Sequence, residues 1–291
     1  GMAMFTLLGG NYKKPILFGS IYVIAIIIQL FLMKKIRKSN IAGEILFLLG
    51  IIILWQIFYV AGVDGLGIWK AYAMPSPVGV WNSFVEMMKQ GTLLAAIGNS
   101  LLRGAIGYIL SLIIGAVIGI LINHFSFLHR NLRPLIMGIQ TLPSICWVPF
   151  SILWFGLTQT AIIFVVIMGS AFSMAIAVDN AILNVPPIYK KAALTMGANQ
   201  KQIYWKVIFP ASLPELISGM KQGWSFAWRA LMSGEVMTTS IGLGQTLMTG
   251  RNLADINQVM LVMVVIVVVG ILIDQVVFYN VEKRVLKKRG L

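Results

Sequence analysis

A stretch of 45 residues without a charged side chain, residues 134–178, limits the folds open to this chain more than any other feature of its sequence. Soluble domains are usually about a quarter charged residues. A helix that crosses a membrane needs about 20 mostly apolar residues, so this stretch is too long for one crossing. We predict two membrane-spanning helices here, divided within residues 155–160, where glycine and polar side chains interrupt the apolar run.

The rest of the chain has the same character. Its 291 residues are 58% hydrophobic and 11% charged, with a mean hydropathy of +0.88. Together with two helices from the uncharged stretch, this composition predicts seven spans and an all-α fold, a polytopic transmembrane helical bundle. The five other predicted spans are residues 15–33, 45–63, 104–123, 213–237 and 256–280.

Basic residues predict how the spans are oriented. The 23 lysines and arginines outnumber nine acids and give a net charge of +14. They flank the apolar runs instead of forming one stripe on a polar domain, which argues against binding to nucleic acid. Fifteen lie in four alternate loop or terminal segments and five in the others, and cytoplasmic loops are those enriched in lysine and arginine. We therefore expect the N-terminus outside, with the C-terminus and residues 183–211 in the cytoplasm.

Metal and nucleotide chemistry are not expected in this chain. His124 and His129 have no cysteine or acid cluster beside them, so no metal site is predicted. The single cysteine, Cys146, excludes an internal disulfide. The sequence contains no G-x-x-x-x-G-K-[ST] phosphate loop. We expect no cofactor in this chain, and energy from ATP would have to come from a separate subunit.

The polar interruption at residues 185–211 has the pattern of two short helices. Pro186 and Pro187 suit the first turn of a helix, and Gly197 suits its end. Asn199 can cap a second helix, and we expect Pro210 to end that helix before the next span. A helix–turn–helix of this size is suited to dock on a partner protein.

Two segments on the opposite side of the membrane are more than connections. Residues 74–90 begin with two prolines and continue with apolar side chains at helical spacing, which predicts an amphipathic helix at the outer interface. Residues 238–251 are rich in glycine. Their composition fits a short re-entrant or lid-like segment and fits an exposed loop equally well.

Polar residues within the spans are candidates for a solute path, because such residues are costly in lipid and face a bundle interior or water. One face of the 213–237 helix, about 120° wide at 100° per residue, carries Lys221, Ser225, Arg229 and Glu235. Arg229 is the strongest candidate to bind an anion, because a guanidinium stays charged and pairs with oxyanions. The alternative for Arg229 and Glu235 is a structural ion pair with a neighbouring span, and Lys221 can instead extend to the interface.

Prolines in the first half of the uncharged stretch indicate a broken helix. Pro143 and Pro149 each remove a backbone hydrogen bond, and broken helices border solute sites in transporters. The side chains predicted to line the route at this break are Thr141, Ser144 and Trp147. A kink that serves packing alone is the alternative.

Several motifs resemble those of a known family. Lys191-Ala192-Ala193, then Gly197 and Ile208-Phe209-Pro210, resembles the EAA signature of the inner-membrane permease subunits of ABC importers. Further motifs in residues 72–280 resemble the nitrate, sulfonate, taurine and bicarbonate branch: Met74-Pro75-Ser76-Pro77, Thr141-Leu142-Pro143-Ser144, Leu153-Trp154-Phe155-Gly156 and Gly223-Trp224-Ser225-Phe226-Ala227-Trp228-Arg229. Lys191 departs from the signature, because it stands where the motif has glutamate and so reverses a charge.

The resemblance implies a type I ABC importer permease fold, with a six-helix core in residues 41–291 and, in residues 1–40, an additional N-terminal span that serves as an accessory anchor. It implies a transporter subunit that is not itself an enzyme, in a bacterial inner membrane. The implied partners are a second permease copy, two ATP-binding cassette subunits that bind ATP and Mg, an external solute-binding protein and membrane lipid. Coupling to the ATPase is implied for six residues of the 185–211 loop: Lys190, Lys191, Ala192, Ala193, Met196 and Gly197.

The function that the resemblance implies is import of a small anionic solute, of the sulfonate, taurine, nitrate or bicarbonate type, by alternating access. Closure of the ATPases would move residues 187–198 and open the path outward. Two alternatives stay open here: a neutral or cationic solute like a vitamin precursor, and an ATPase-independent channel or carrier. An intramembrane enzyme would need a nucleophile or metal constellation within the spans, and the sequence has none.

Overall fold

The structure, a computed structural model, describes residues 40–65, 67–70 and 72–287, which belong to two compact units. The first unit contains the described residues up to Gln90 together with Gly250–Leu261, and the second contains Gly91–Thr249 and the described residues from Val262 onward. No β-strand occurs within the described ranges, so the all-α prediction is confirmed. The predicted span at residues 15–33 lies outside them.

The first unit contains two whole helices and the segment Gly250–Leu261, and Trp55 Nε1 of the first helix donates to the Pro75 carbonyl, just before the second, at 3.0 Å. Helix α1, Asn40–Tyr59, continues into a π-helical turn, Val60–Gly65, and helix α2 covers Pro77–Lys89. Ser76 caps α2, because its Oγ accepts a hydrogen bond from the Gly79 amide at 2.9 Å. The Ser76 amide in turn donates to Asn257 Oδ1 at 3.1 Å. The helix predicted within residues 74–90 is confirmed.

Three long helices make the core of the second unit. The helices after α2 are α3 (Thr92–His124), α4 (Ser126–Ile139), α5 (Val148–Phe155), α6 (Gln159–Leu183), α7 (Pro187–Thr195), α8 (Gln200–Ile203), α9 (Phe209–Val236), α10 (Leu243–Asn252), α11 (Ile256–Ile273) and α12 (Asn280–Lys287). Helix α6 packs between α3 and α9, and its side chains Ile162, Val165 and Val166 are completely buried. Helices α6 and α9 of this core form part of the wall of the site described below.

Helices α3 and α6 approach so closely that small residues are required on α3. A Cβ placed on Gly107 would lie 2.7 Å from Val166 Cγ1, and one on Gly115 would lie 2.7 Å from the carbonyl oxygen of Ala171. A Cβ on Gly119 would likewise collide with α6, 2.7 Å from Val178 Cβ. Successive positions are eight and four residues apart and share one helix face, which is the pattern of close helix pairs in membranes.

The uncharged stretch begins as a broken helix and ends as a straight one. Helix α4 and the segment Ser144–Phe155, a 3-10 turn followed by α5, meet at an angle of 98°. Pro143 lies at this break. The helix ends here because proline has no N–H to donate and disfavours helical geometry in the residue before it. Pro149 lies in the first turn of α5, where no N–H is needed, and causes no second break. Helix α6 begins at Gln159, so the division predicted within residues 155–160 is confirmed.

Residues 185–211 contain the two predicted short helices. Helix α7 begins at Pro187 and is followed by Gly197, whose φ is +79°. Asn199 caps α8 in a capping box with Gln202. The expectation that Pro210 ends the second helix is wrong, because the chain continues through a π-helical turn, Tyr204–Ile208, directly into α9. This wider turn accommodates a proline that has no N–H to donate to the preceding turn.

Three described helices are long and apolar enough to cross a membrane: Thr92–His124, Gln159–Leu183 and Ile256–Val285. The broken pair, Ser126–Ile139 with Ser144–Phe155, is a fourth if it counts as one span. The span predicted at 45–63 corresponds to a shorter apolar helix, Phe47–Val63. The span predicted at 213–237 is helical within α9, but four charged residues make it less apolar than the other three.

Candidate translocation site

The break between α4 and α5 borders a cavity of about 480 Å³ in the second unit. Its size falls within the range of ligand pockets, about 300–1,000 Å³. The end of α4, the turn before α5, the middle of α6 and one side of α9 form its wall. The polar side chains on this wall are Gln140, Thr141, Ser144, Arg229 and Ser233, and the bulkiest apolar ones are Trp147, Met168, Phe172 and Phe226.

Arg229 is the charged member of this wall. Its side chain is exposed, its Nε donates to the Ser225 carbonyl at 3.1 Å, and its Cζ lies 4.7 Å from the centre of the Phe226 ring. Within the described residues no carboxylate lies within 4.0 Å of this guanidinium, and its two terminal nitrogens have no hydrogen-bond partner. Four N–H bonds therefore remain for a ligand, arranged in the planar fork that suits an oxyanion.

Hydroxyl groups line the same cavity as this guanidinium. The Oγ atoms of Ser144 and Ser233 are 3.3 Å apart, which joins the turn before α5 to α9. Ser233 lies one helical turn after Arg229, and its hydroxyl donates to the Arg229 carbonyl at 3.1 Å. Thr141, Ser144 and Trp147 all border the cavity, so the three residues predicted at the helix break lie together with Arg229.

The three other residues predicted for the path lie elsewhere. Ser225 is exposed but does not border the cavity, and its hydroxyl donates to the Lys221 carbonyl at 3.3 Å. Lys221 Nζ lies 3.0 Å from Asp274 Oδ2, so it forms an ion pair. Glu235 is completely buried and does not face the cavity, contrary to the sequence-based expectation. It lies about 120° around the helix axis from Arg229, which turns its carboxylate toward the protein interior.

Glu235 instead forms a buried ion pair with Arg103 of α3. Arg103 Nη1 lies 2.8 Å from Glu235 Oε1, and the two residues are 3% and 0% exposed. Ser100 Oγ donates to the same carboxylate at 2.7 Å, and the Gly244 amide donates to Oε2 at 2.9 Å. Arg103 Nη2 donates to the Ile241 carbonyl at 2.7 Å. This polar clamp, formed by Ser100, Arg103, Glu235 and Gly244, fastens the turn after α9 onto α3.

Glycine is required in the turn that the polar clamp holds. A Cβ on Gly244 would lie 2.6 Å from Glu235 Cβ and 3.0 Å from the Met232 carbonyl oxygen, and one on Gly242 would overlap the Glu235 carboxylate. Leu243, between them, is completely buried, and its amide donates to Ser100 Oγ at 2.8 Å. The glycine-rich segment predicted at 238–251 is therefore a packed turn followed by helix α10 and not an exposed loop.

A second buried carboxylate organises the α3–α4 connection. Asp179 is completely buried, with Oδ2 2.9 Å from Arg133 Nε and Oδ1 accepting from Asn123 Nδ2 at 3.2 Å. His129 Nδ1 lies 3.8 Å from the same carboxylate. The described residues contain no group of three or more histidine, cysteine or acidic side chains that could hold a metal ion.

The residues predicted to couple to an ATPase lie on α7 and in the turn after it. Ala193 is 2% exposed and packs against a small core made by Val185, Ile203 and Ile208. The other predicted residues are exposed, with Lys190 half-exposed: Lys190, Lys191, Ala192, Met196 and Gly197. Ala193 thus fixes α7 to the fold, while its neighbours present a free surface.

Residues 111–287 match the family described as "Binding-protein-dependent transport system inner membrane component". The chain belongs to this family of ABC importer permeases. The matched region includes the whole cavity wall and the α7 surface.

Relatives of this permease are named for three different oxyanions. A Bacillus subtilis protein assigned to aliphatic sulfonate transport is 31% identical over 240 residues, which are 82% of this chain and 85% of that protein. The nitrate import permease of Leptolyngbya laminosa is 27% identical, over 73% of this chain and 81% of that protein. The bicarbonate transport permease of Synechocystis is 26% identical, with corresponding shares of 84% and 88%.

An inward-facing structure of the MetNI methionine ABC transporter has the same fold. It matches this permease with a TM-score of 0.60 and 24% identity, over 69% of this chain and 98% of the chain compared. The permease therefore has the type I ABC importer fold, as the motifs imply.

Sequence reasoning missed the pairing in the polar clamp and two polar residues of the cavity wall, Gln140 and Ser233. The position of Ser233 was predictable, because a residue four positions after Arg229 lies on the same helix face. A pairing of Arg103 with Glu235 was also a possible prediction, since charges within membrane spans are costly unless they are paired. Only the fold shows that these two are partners.

Proposed function

We propose that this permease moves a small oxyanion, of the sulfonate, taurine, nitrate or bicarbonate type, and that the cavity at the helix break holds the solute in transit. The observation that carries the proposal is the environment of Arg229: an exposed guanidinium with no carboxylate nearby in the described structure, on the wall of a cavity with hydroxyl groups. A guanidinium binds planar or tetrahedral oxyanions through paired hydrogen bonds.

The relatives support this solute class. The solutes in their names, sulfonate, nitrate and bicarbonate, are all anions with three oxygen atoms on one central atom. They differ in size and in the group attached to that centre. A cavity with one guanidinium, several hydroxyls and apolar walls has the features that such a set of solutes shares.

The alternative is a neutral or cationic solute. The rings of Trp147, Phe172 and Phe226 border the same cavity and would stack on a flat uncharged molecule. A cationic solute is disfavoured by like-charge repulsion from Arg229. A neutral solute is therefore the remaining alternative to an anion. Removal of the Arg229 charge distinguishes the two, because it should lower uptake of an anion but not of a neutral solute.

We propose further that the permease functions as a pair with a second copy, powered by two ATP-binding cassette subunits that bind ATP and Mg and supplied by an external solute-binding protein in a bacterial inner membrane. The fifteen-to-five distribution of basic residues supports an outside N-terminus and a cytoplasmic loop at 185–211. The exposed face of α7 would receive the ATPases, whose closure would shift residues 187–198 and change access to the cavity. Residues 41–291 would form the transport core, with residues 1–40 as an accessory anchor.

The test is uptake by the assembled importer in liposomes, with Arg229→Gln compared with the wild type. Glutamine keeps a polar side chain but removes the positive charge. We expect uptake of the anion to fall at least about tenfold at low solute concentration, because a hydrogen bond to a charged group contributes about 1.5–3 kcal/mol. Arg130→Gln, which removes an exposed arginine outside the cavity, is the matched control and should leave uptake unchanged.

Two outcomes would contradict the proposal at different points. Unchanged uptake of sulfonate, nitrate and bicarbonate by Arg229→Gln would remove Arg229 from the solute path. Full transport by the permease without ATPase subunits, or without solute-stimulated ATP hydrolysis, would instead identify a channel or carrier.

A further inference from the structure

We propose that α7 and the helix that follows it form a basic docking surface, and that this surface fits a groove with acidic residues on the ATPase subunit. The inference rests on the coupling role proposed above for the same loop. It adds the chemistry of the partner, namely the sign of its charge and its apolar walls.

The charged residues of this surface are all basic. Between Asp179 and Glu215 the chain contains no acidic residue and four lysines: Lys190, Lys191, Lys201 and Lys206. Three of them are exposed and Lys190 is half-exposed. Among the described residues, none of the four has a carboxylate within 4.0 Å. An unpaired basic surface favours an acidic partner, because complementary potentials orient two proteins as they associate.

Lys191 has the most prominent position on α7. Ala193, two residues later, is 2% exposed and faces the small core beneath the helix. Two residues turn an α-helix by about 200°, so Lys191 projects from the side opposite Ala193. It therefore lies at the crest of the surface, where a docking partner makes contact.

Apolar side chains border Lys191 on both sides. Ile188 and Leu194, three residues before and after it, are 64% and 53% exposed. Each lies about 60° around the helix axis from Lys191. Met196, in the turn that follows, is 80% exposed. Exposed apolar groups clustered with charges are typical of an interaction site.

This arrangement favours a protein groove over an anionic membrane surface. A helix that lies on a membrane has its apolar residues on one face and its lysines on the other. On α7 the lysine is in the middle of the apolar stripe, so lipid that covered Ile188 and Leu194 would also cover the charge. A groove with apolar walls and a carboxylate at its floor would contact all three side chains favourably.

The decisive measurement is the affinity of the full-length permease, in nanodiscs of zwitterionic lipid, for the purified ATPase subunit of the same importer. We expect Lys191→Glu to weaken binding about tenfold at about 0.1 M salt, because it replaces attraction with repulsion at a desolvated contact. The difference should shrink toward 1 M salt, where the screening length falls to about 3 Å. Lys191→Gln should have a smaller effect of the same kind.

The matched control is Lys283→Glu, the same change of charge at an exposed lysine of α12. It should leave the affinity unchanged. A reciprocal change on the ATPase, from acid to lysine in the groove that receives α7, should restore binding to Lys191→Glu. Size-exclusion profiles of each variant establish that the permease itself is folded.

The outcomes separate this inference from the proposed function. If the ATPase binds Lys191→Glu as tightly as the wild type, or more tightly, the acidic groove is excluded while ATPase coupling stands. If the ATPase does not bind the wild-type permease at all, the coupling role itself is excluded. If the effect of Lys191→Glu appears only in nanodiscs with anionic lipid and is independent of the ATPase, the surface binds lipid and the inference is wrong.

Discussion

Arg103 and Arg229 are two arginines of one unit whose surroundings have little in common. Arg103 is 3% exposed, and its guanidinium is divided between the Glu235 carboxylate and the Ile241 carbonyl. Arg229 is exposed and uses only Nε within the described structure, so its terminal nitrogens are available at the cavity. The first side chain serves architecture because buried neighbours bind both of its terminal nitrogens, and the second can serve recognition because its terminal nitrogens have no such partners.

The comparison also separates two faces of one polar helix. Helix α9 supplies both Glu235, which neutralises Arg103, and Arg229, which has no acidic neighbour in the described residues. An acid six residues from an arginine therefore gives no reason to expect that the two are paired. The position of a charge around the helix axis, relative to the neighbouring helices, decides its task.

The largest effect is expected for Arg103→Ala. Its loss leaves the Glu235 carboxylate buried with fewer donors, and removing one partner of a buried ion pair costs about 3–5 kcal/mol of stability. We expect a marked loss of thermal stability of the purified permease, measured by the temperature at which its monodisperse size-exclusion peak disappears. Arg229→Ala should leave this temperature within a degree or two of the wild type, since the guanidinium holds no buried carboxylate.

The double variant Arg103→Met with Glu235→Leu sharpens this prediction. Replacing both charges by apolar side chains removes the unpaired carboxylate, and such exchanges are often close to neutral. We expect it to be more stable than Arg103→Ala. Equal instability of the two would show that the hydrogen bonds to Ile241 and Gly244, and not the charge pairing, stabilise the polar clamp.

The next effect concerns the solute and is expected for Arg229→Lys. Lysine keeps the charge but loses the planar fork and the contact with Phe226. We expect anion uptake at low concentration to fall about three- to tenfold, less than for Arg229→Gln, because a point charge replaces paired hydrogen bonds. Uptake that equals that of Arg229→Gln would mean that the fork, and not the charge, binds the solute.

A smaller change in stability is expected for Ser100→Ala. The Ser100 hydroxyl donates to Glu235 and accepts from the Leu243 amide, so alanine leaves two buried polar groups with one partner fewer. The expected loss is about 1–3 kcal/mol. Measured by the same thermal assay, Ser111→Ala is a suitable control, because the Ser111 hydroxyl is buried but bonds only to the Tyr108 carbonyl of its own helix. A loss as large as that of Arg103→Ala would place the main strength of the clamp in Ser100.

The smallest effect is expected for Ser233→Ala at the cavity. Ser233 contacts Ser144 at 3.3 Å and donates to its own helix, so its contribution to a bound anion is one neutral hydrogen bond, about 0.5–1.5 kcal/mol. Uptake at low concentration should fall about two- to tenfold, with stability unchanged. A loss greater than that of Arg229→Lys would shift the main anion contact from the guanidinium to the hydroxyls.

Local patterns predicted the fold well where one short-range rule decided the outcome. The break at Pro143, the start of α7 at Pro187 and the cap at Asn199 each follow from a residue that lacks or supplies one hydrogen bond. The prediction for Pro210 is wrong although it rests on the same rule, the missing N–H of proline. The missing N–H was correctly noted, but a π-helical turn absorbs it without ending the helix.

The candidate site was predicted only in part, because its remaining contacts depend on tertiary packing. A helical wheel places Arg229 and Glu235 on one face about 120° wide, and these two residues lie at its edges. Packing of α3 and α6 buries one edge and leaves the other at the cavity. The pairing of Arg103 with Glu235 joins residues 132 positions apart, which no periodicity within a single helix reveals.

The glycine face of α3 has a mechanical consequence. Side chains and carbonyl oxygens of α6 pack directly against Gly107, Gly115 and Gly119. Sliding of one helix along the other would therefore make these groups collide with the backbone of α3. Helix α3 carries Arg103, and α6 forms part of the cavity wall. We therefore expect α3 and α6 to move as one rigid block during transport.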